Sequence, residues 1–366
     1  MKIKEVLQFL EGIAPRSLQE SYDNAGLIVG NDKLEVSSAL ICLDSTEEVV
    51  DEAIRKGCNL IIAHHPIVFS GLKQITGRTY IERVVLKAIK HDIAIYAIHT
   101  NLDNVLGGVN AMISDKLGLV NRRILSPKSG LLQKLVVYVP VKSSESLRDS
   151  LFQAGAGEIG NYSECSFNID GEGTFKGNEH SNPVIGSKGQ RHTEPEIRVE
   201  VLVESWTLGN VIAAMHDAHP YEEVAYDVLP VSNIHSTVGA GMVGDLPESQ
   251  DLDLFLEKVS KVFKAQGIRY TDPVSKKVSK VALCGGSGSF LLEDAKAAGA
   301  DVFITGDFKY HQFFDADGKL TILDIGHYES EQFTIELLGG YLREKFPNFA
   351  LHFTDINTNP VNYYKG

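Results

Sequence analysis

The residues of this sequence with the types and spacing for chemistry are histidines and carboxylates placed just past apolar runs. His64 and His65 interrupt LIIAHHPIVF at positions 60–69; His99 and Asp103 belong to IYAIHTNLDN, Asp307 and His311 to VFITGDFKYHQ, and His327 and Glu331 to LDIGHYESE. Successive side chains on a strand point to opposite faces, so His64 and His65 pose a choice. Either the strand has ended before them, or the two imidazoles serve two targets. Pro66 fixes its own φ and pushes His65 toward an extended conformation. If the strand persists through both, they reach two different metal ions, which Asp103 and Glu331 can bridge and neutralise. His327 and Glu331 are four apart at the start of a predicted helix, as are Asp307 and His311, so each pair can share a helix face. The same spacing is also that of a solvated helix face. For Asp307 and His311 the spacing divides between ligand support and a role behind the ligands or toward substrate. The set His64, His65, Asp103, His327 and Glu331 is mixed N and O, without thiolate. It suits zinc, iron, manganese or nickel, whereas calcium and magnesium prefer all-oxygen shells. His99 and His311 are the proton-transfer candidates, since imidazole titrates near neutral pH.

For these clusters to act together, the elements that carry them must end in one place. The first third of the chain repeats an apolar run followed by a helical pattern: SALICLDS with EEVVDEAIRKG, NLIIAHHP with YIERVVLKAIKHD, IAIYAIHTNLD with GGVNAMISDKLG. The last third resumes it with KVALCGG, DVFITGD, LTILDIG and their helices. This alternation predicts βα units and a largely parallel sheet, where ligands bind beyond the carboxyl ends of the strands. Residues 128–236 change character to a β-α-β then β-α-β order, that of a ferredoxin-like α+β domain. The expected organisation is therefore an α/β domain formed by 1–127 and 237–366 and interrupted by an inserted domain at 128–236. The Gly-rich segment GEGTFKGNEHSNPVIGSKGQRHTEPE inside the insertion reads as a long hairpin-type loop.

Composition bounds the function. The chain has 366 residues, 43% of them hydrophobic, which suits a folded protein with more than one core. Its formal charge of −13 opposes a duplex-DNA footprint. Cys42, Cys58, Cys165 and Cys284 are scattered, with no CxxC pair, and read as reduced thiols of a cytoplasmic protein. The N-terminus lacks the features of a signal peptide, and no apolar run approaches the length of a membrane span. The CGGSGS turn at 284–289 lacks the lysine of a P-loop; it reads as a tight strand-to-helix turn, with phosphate recognition by its amides as the alternative. His216, His219, Glu222 and Glu223 in the insertion read as a turn with solvated acids rather than a second metal site.

Taken together, ESYDNAGLIVG, IIAHHPIVF, IHTNLDNVLGGVN, VALCGGSGS, ITGDFKYH and DIGHYESE, in that order, resemble the NIF-three-like family of dinuclear metal-centre proteins over essentially the whole chain. Bacterial members are often labelled GTP cyclohydrolase type 2 homologues. Tyr22 stands where the family motif has Trp. By position, the resemblance puts the family's metal ligands on His64, His65, Asp103, His327 and Glu331, and implies two divalent ions per subunit, zinc first, with iron, manganese and nickel as alternatives. It makes the insertion similar to PII and CutA proteins and implies a toroidal homohexamer. The expected function is a metal-dependent hydrolase acting on a nucleotide or cyclic amidine as small-molecule substrate. The competing readings are a metal-binding regulatory or assembly protein without turnover and a ring-shaped DNA-binding protein.

Overall fold

The computed structural model describes residues 1–364, which form two compact units: 1–127 with 237 onward, and 128–236. In the larger unit the N-terminal half builds a five-stranded sheet. Its strands run in the order Gly26–Val29, Ala94–Ala97, Leu60–Ala63, Ala39–Cys42 and Leu351–Phe353. The three middle strands are parallel, and every residue in them is buried, as expected for strands covered on both faces. Gly26–Val29 is antiparallel at one edge. Leu351–Phe353, from the far end of the chain, pairs in parallel with Ala39–Cys42 at the other.

The helices between these strands carry clear start and stop signals. Thr46 caps Glu47–Lys56 by accepting from the Val49 amide, and Gly57 ends it in the left-handed region at φ 69°. Thr79 likewise caps Tyr80–Lys90. Val49, Val50 and Ala53 of the first helix and Val84, Val85 and Ala88 of the second lie in one core with Leu40, Ile61 and Ile95 of the sheet.

The C-terminal half builds a separate six-stranded sheet in the order Arg269–Tyr270, Thr321–Asp324, Val302–Gly306, Lys277–Ser287, Ile234–Asp251 and Val120–Ser129. Its three central strands, Lys277–Ser287, Val302–Gly306 and Thr321–Asp324, are parallel and fully or largely buried, with antiparallel neighbours on both sides. The βα alternation thus resolves into two mixed sheets, each with a parallel centre and an antiparallel edge.

The smaller unit follows the order β-α-β-β-α-β: Leu132–Pro140, helix Ser144–Gln153, Ser166–Lys176, Arg191–Glu204, helix Leu208–Ala218, Tyr226–Val231. Its sheet is antiparallel throughout, and both helices pack on it through Leu147, Leu151, Val211 and Met215. The Gly-rich segment closes a long hairpin, paired from Ser166 with Val201 to Lys176 with Arg191. His219 is buried and bonded at both ring nitrogens, to the Tyr138 carbonyl and the Tyr221 amide, as a core histidine is. No helix among the described residues is long and apolar enough to cross a membrane.

Candidate metal centre

His64 and His65 stand just past the strand Leu60–Ala63, and there the backbone leaves the ladder. Their successive amides bond the Cys42 and Leu43 carbonyls at 3.2 and 2.9 Å, a pattern that a continuing parallel pleat does not make. The bend turns both rings to one side, with centroids 4.9 Å apart. So the strand has ended before the pair, and the pair shares a target through the bend rather than through the pleat.

That target is Glu331. It lies one helical turn after His327 on the short helix His327–Glu331 and is 3% exposed. Its two oxygens are approached by two groups of side chains. Oε1 is 3.7 Å from His64 Nε2, which is itself 3.7 Å from Asp103 Oδ1. Oε2 is 3.0 Å from both His65 Nε2 and His327 Nε2, and those two nitrogens are 3.3 Å apart. The structure thus gathers all five side chains named from the sequence, in two groups that share one carboxylate.

Each of the three rings is fixed through its other nitrogen. His64 Nδ1 bonds the Ile98 carbonyl at 2.8 Å, His65 Nδ1 the Asp44 carboxylate at 2.8 Å, and His327 Nδ1 the Asp307 carboxylate at 2.7 Å. This is the arrangement that orients metal-ligating imidazoles and keeps Nε2 for the ion. Of the buried side-chain atoms without a hydrogen-bond partner among the described residues, two belong to this site: His64 Nε2 and Asp103 Oδ1. Leaving buried polar groups unpaired is costly, so the pocket is short of a group that these two atoms can bind. A divalent cation fits that deficit, and the imidazole and carboxylate donors suit a transition ion.

The proton affinities of these side chains follow from the same geometry. Burial disfavours a charge on His65 and His327, but the surrounding carboxylates outweigh it, raising His65 to about 10 and His327 to about 11. His64, buried against its neighbours with less compensation, is pushed down. Burial and the charge of Glu331 push Asp103 up. Burial also acts on Glu331, but the surrounding imidazoles hold it well down. Burial, reinforced by Asp103 and Glu331, raises the Cys284 thiol.

His99 lines the same cavity, its ring 5.4 Å from those of His64 and His65. Its Nδ1 is held by Asp23 at 2.7 Å. Burial opposes charge on Asp23, but hydrogen bonds from His99 and Thr100 prevail and hold its carboxyl at about 2. His311 is elsewhere: it is not among the cavity-lining residues, and its exposed ring packs against Tyr310 and Phe314. Asp307 and His311 do not share a helix face, because Asp307 precedes the short helix Tyr310–Ala316 in the left-handed region at φ 61°. From there its carboxylate reaches His327 instead.

The CGGSGS turn supports Glu331. A Cβ on Gly286 would lie 2.4 Å from Glu331 Oε1, and its φ of +61° favours glycine besides. Its amides are engaged within the protein: Gly285 donates to Asn110 Oδ1, Gly286 to Ser330 Oγ and Gly288 to Thr305 Oγ1, each at 2.9 Å. The turn therefore packs a ligand and does not offer those three amides to a phosphate. Asn110 also donates to the Asp103 carbonyl at 3.0 Å, tying the turn to the ligand segment. Asn110, Asp23 and Asp44 were not singled out in the sequence. Asp44 carried the same signal as the histidine clusters, a polar residue directly after an apolar run, here ALICL at 39–43.

The profile of the family Duf34/NIF3 (NGG1p interacting factor 3) matches residues 1–360. A Halalkalibacterium halodurans protein named GTP cyclohydrolase 1 type 2 homolog is 41% identical over 98% of each chain, and a Bacillus subtilis protein of the same name is 37% identical over 98% of each. The crystal structure of a Bacillus cereus protein related to NIF3 superposes with a TM-score of 0.86 at 40% identity, covering 100% of this chain and 99% of that one. The chain belongs to the DUF34/NIF3 family.

Proposed function

We propose that this protein binds two divalent metal ions per chain, zinc before iron, manganese or nickel, and uses them as a hydrolase on a nucleotide or cyclic amidine. The observation that carries the reading is the pair of side-chain groups sharing Glu331, with His64 Nε2 and Asp103 Oδ1 buried and unpartnered. Bound there, two ions would supply Lewis acidity toward a polar substrate group and lower the pKa of water. His64, Asp103 and Glu331 Oε1 would hold one, and His65, His327 and Glu331 Oε2 the other. Asp44, Asp307 and the Ile98 carbonyl keep the rings in the tautomer that ligation needs. His99, braced by Asp23, is the proton carrier that the cavity presents to a substrate.

The GTP cyclohydrolase name of the relatives supports hydrolysis of a nitrogen heterocycle as the reaction class. Elemental analysis of the purified protein tests the centre. Two transition-metal equivalents per chain are expected, falling in folded His64→Ala and Asp103→Ala variants; a metal-free wild type overturns the reading. Turnover of nucleotides by the metal-loaded protein should vanish in Glu331→Ala. Full metal occupancy with no turnover of any nucleotide or cyclic amidine would leave the regulatory, non-catalytic reading in its place.

A further inference from the structure

The sequence TDINTNPVNYY at 354–364 follows the edge strand Leu351–Phe353 and belongs to no helix or strand. Its first amide, that of Thr354, still bonds the Ile41 carbonyl at 3.0 Å. Beyond it, among the described residues, no backbone–backbone hydrogen bond involves 355–364. A segment whose backbone bonds go unmade is held by its side chains or not at all. Here the side chains do it. Asn357 Oδ1 accepts from the Asn359 amide and Asn359 Oδ1 from the Val361 amide, each at 3.0 Å, which makes two successive Asx turns. The base is tied to the first sheet and its helix: the Asp355 amide donates to Glu52, the Asp355 carboxylate meets Lys56 at 2.9 Å, and Ile356 packs on the core there.

The two residues at the turn reach both sides of the metal centre. Thr358 donates its hydroxyl to Asp44 Oδ2 at 2.6 Å, and Asp44 Oδ1 is the atom that holds His65 Nδ1. Asn359 donates its side-chain amide to Glu329 Oε1 at 3.1 Å, and Glu329, 5% exposed, lies between His327 and Glu331 on their short helix. Asn359, Pro360, Val361 and Tyr363 then form part of the cavity wall. His65 depends on this contact more than His64 does. The anchor of His64 is a main-chain carbonyl, whereas Asp44 is a side chain 35% exposed, free to rotate off the ring unless its second oxygen is also held.

We propose that Thr358 is a positioning residue: the strap formed by residues 354–364 clamps Asp44, and through it His65, so that the group His65, His327 and Glu331 Oε2 is complete only while the strap lies against the cavity. The inference rests on the two-ion reading and adds the strap to it. Coupling of this kind is reciprocal. A strap that favours metal at His65 is itself held in place by that metal, and anything that displaces the strap loosens one ion and not the other.

Zinc titration against a competing chelator tests this in two variants. Thr358→Val removes the hydroxyl at nearly constant shape, and Thr358→Ser keeps it. With circular dichroism unchanged, one of the two zinc equivalents should bind about 3- to 30-fold more weakly in Thr358→Val, the other as in wild type, and Thr358→Ser should bind both as wild type does. In hydrogen exchange, zinc should slow the amides of 354–364 in wild type and slow them less in Thr358→Val. Unaltered affinity in Thr358→Val, equal weakening of both equivalents, weakening in Thr358→Ser as large as in Thr358→Val, or exchange of 354–364 indifferent to zinc would each overturn the inference. A wild type that takes up no zinc sinks the two-ion reading and this inference with it; two equivalents in wild type, bound equally well by Thr358→Val, sink this inference alone.

Discussion

A ligating imidazole works only if its other nitrogen is occupied, and here a carbonyl and two carboxylates do that task. Asp307 is the most exposed of these anchors, with its side chain about half accessible, so it can be removed without opening the core. Asp307→Ala is expected to leave the circular dichroism unchanged and to lower metal affinity about 10- to 100-fold in competition with a chelator. Gly286→Ala tests packing rather than anchoring. The added methyl meets Glu331 Oε1, so metal content should fall although no ligand has been changed. The residues of the candidate site were legible to different degrees. His327 and Glu331 stood out because helical spacing pairs them, and His64 with His65 because adjacent histidines at a strand end are hard to place in a core. Asp23 did not, since one carboxylate in a turn looks like any solvated one until His99 and Thr100 are seen beside it.

At the level of elements, the helix Tyr80–Lys90 shows how local chemistry holds the scaffold. The Glu82 carboxylate accepts from the Thr76 amide and hydroxyl at 2.8 Å and from the Arg78 amide at 3.1 Å, while Thr79 caps the Glu82 amide. Thr79→Ala should cost about 1 kcal/mol, read as a shift of the denaturant midpoint. The bonds from Thr76, first of all, hold the Glu82 carboxyl down at about 2, against about 4.3 in an unfolded chain. A depressed folded value means that its contribution is present above the unfolded value and lost as pH falls toward 2. The melting temperatures of wild type and Glu82→Gln should therefore differ at pH 7 and converge in acid. This helix and the strands on either side of it were readable from alternation. The division into two sheets was not, because the same βα pattern serves one sheet or two. The strand Ile234–Asp251 was hidden by Gly239, Gly241, Gly244 and Pro247, residues that strand patterns lack. Leu351–Phe353 is three residues long, too short to register as a pattern.

Across the whole molecule, the smaller unit leaves and rejoins the larger one through neighbouring strands, Val120–Ser129 and Ile234–Asp251, with Gly239 packed close to Ser126 and Pro127. A variant in which residues 130–233 give way to a short turn should fold and retain the metal content of the full chain, as elemental analysis would show. If the insertion also serves assembly into the homohexamer that the family resemblance implies, light scattering of the same variant will report smaller particles. The larger unit depends on its own distant parts in another way. His64 and Asp103 come from one end of the chain, Glu331 from the other, and the edge strand Leu351–Phe353 completes the first sheet last. A ribosome therefore delivers half of the centre long before the rest. The nascent N-terminal half emerges with an open sheet edge and an incomplete set of donors, so the proposed loading with metal would wait until synthesis is nearly finished.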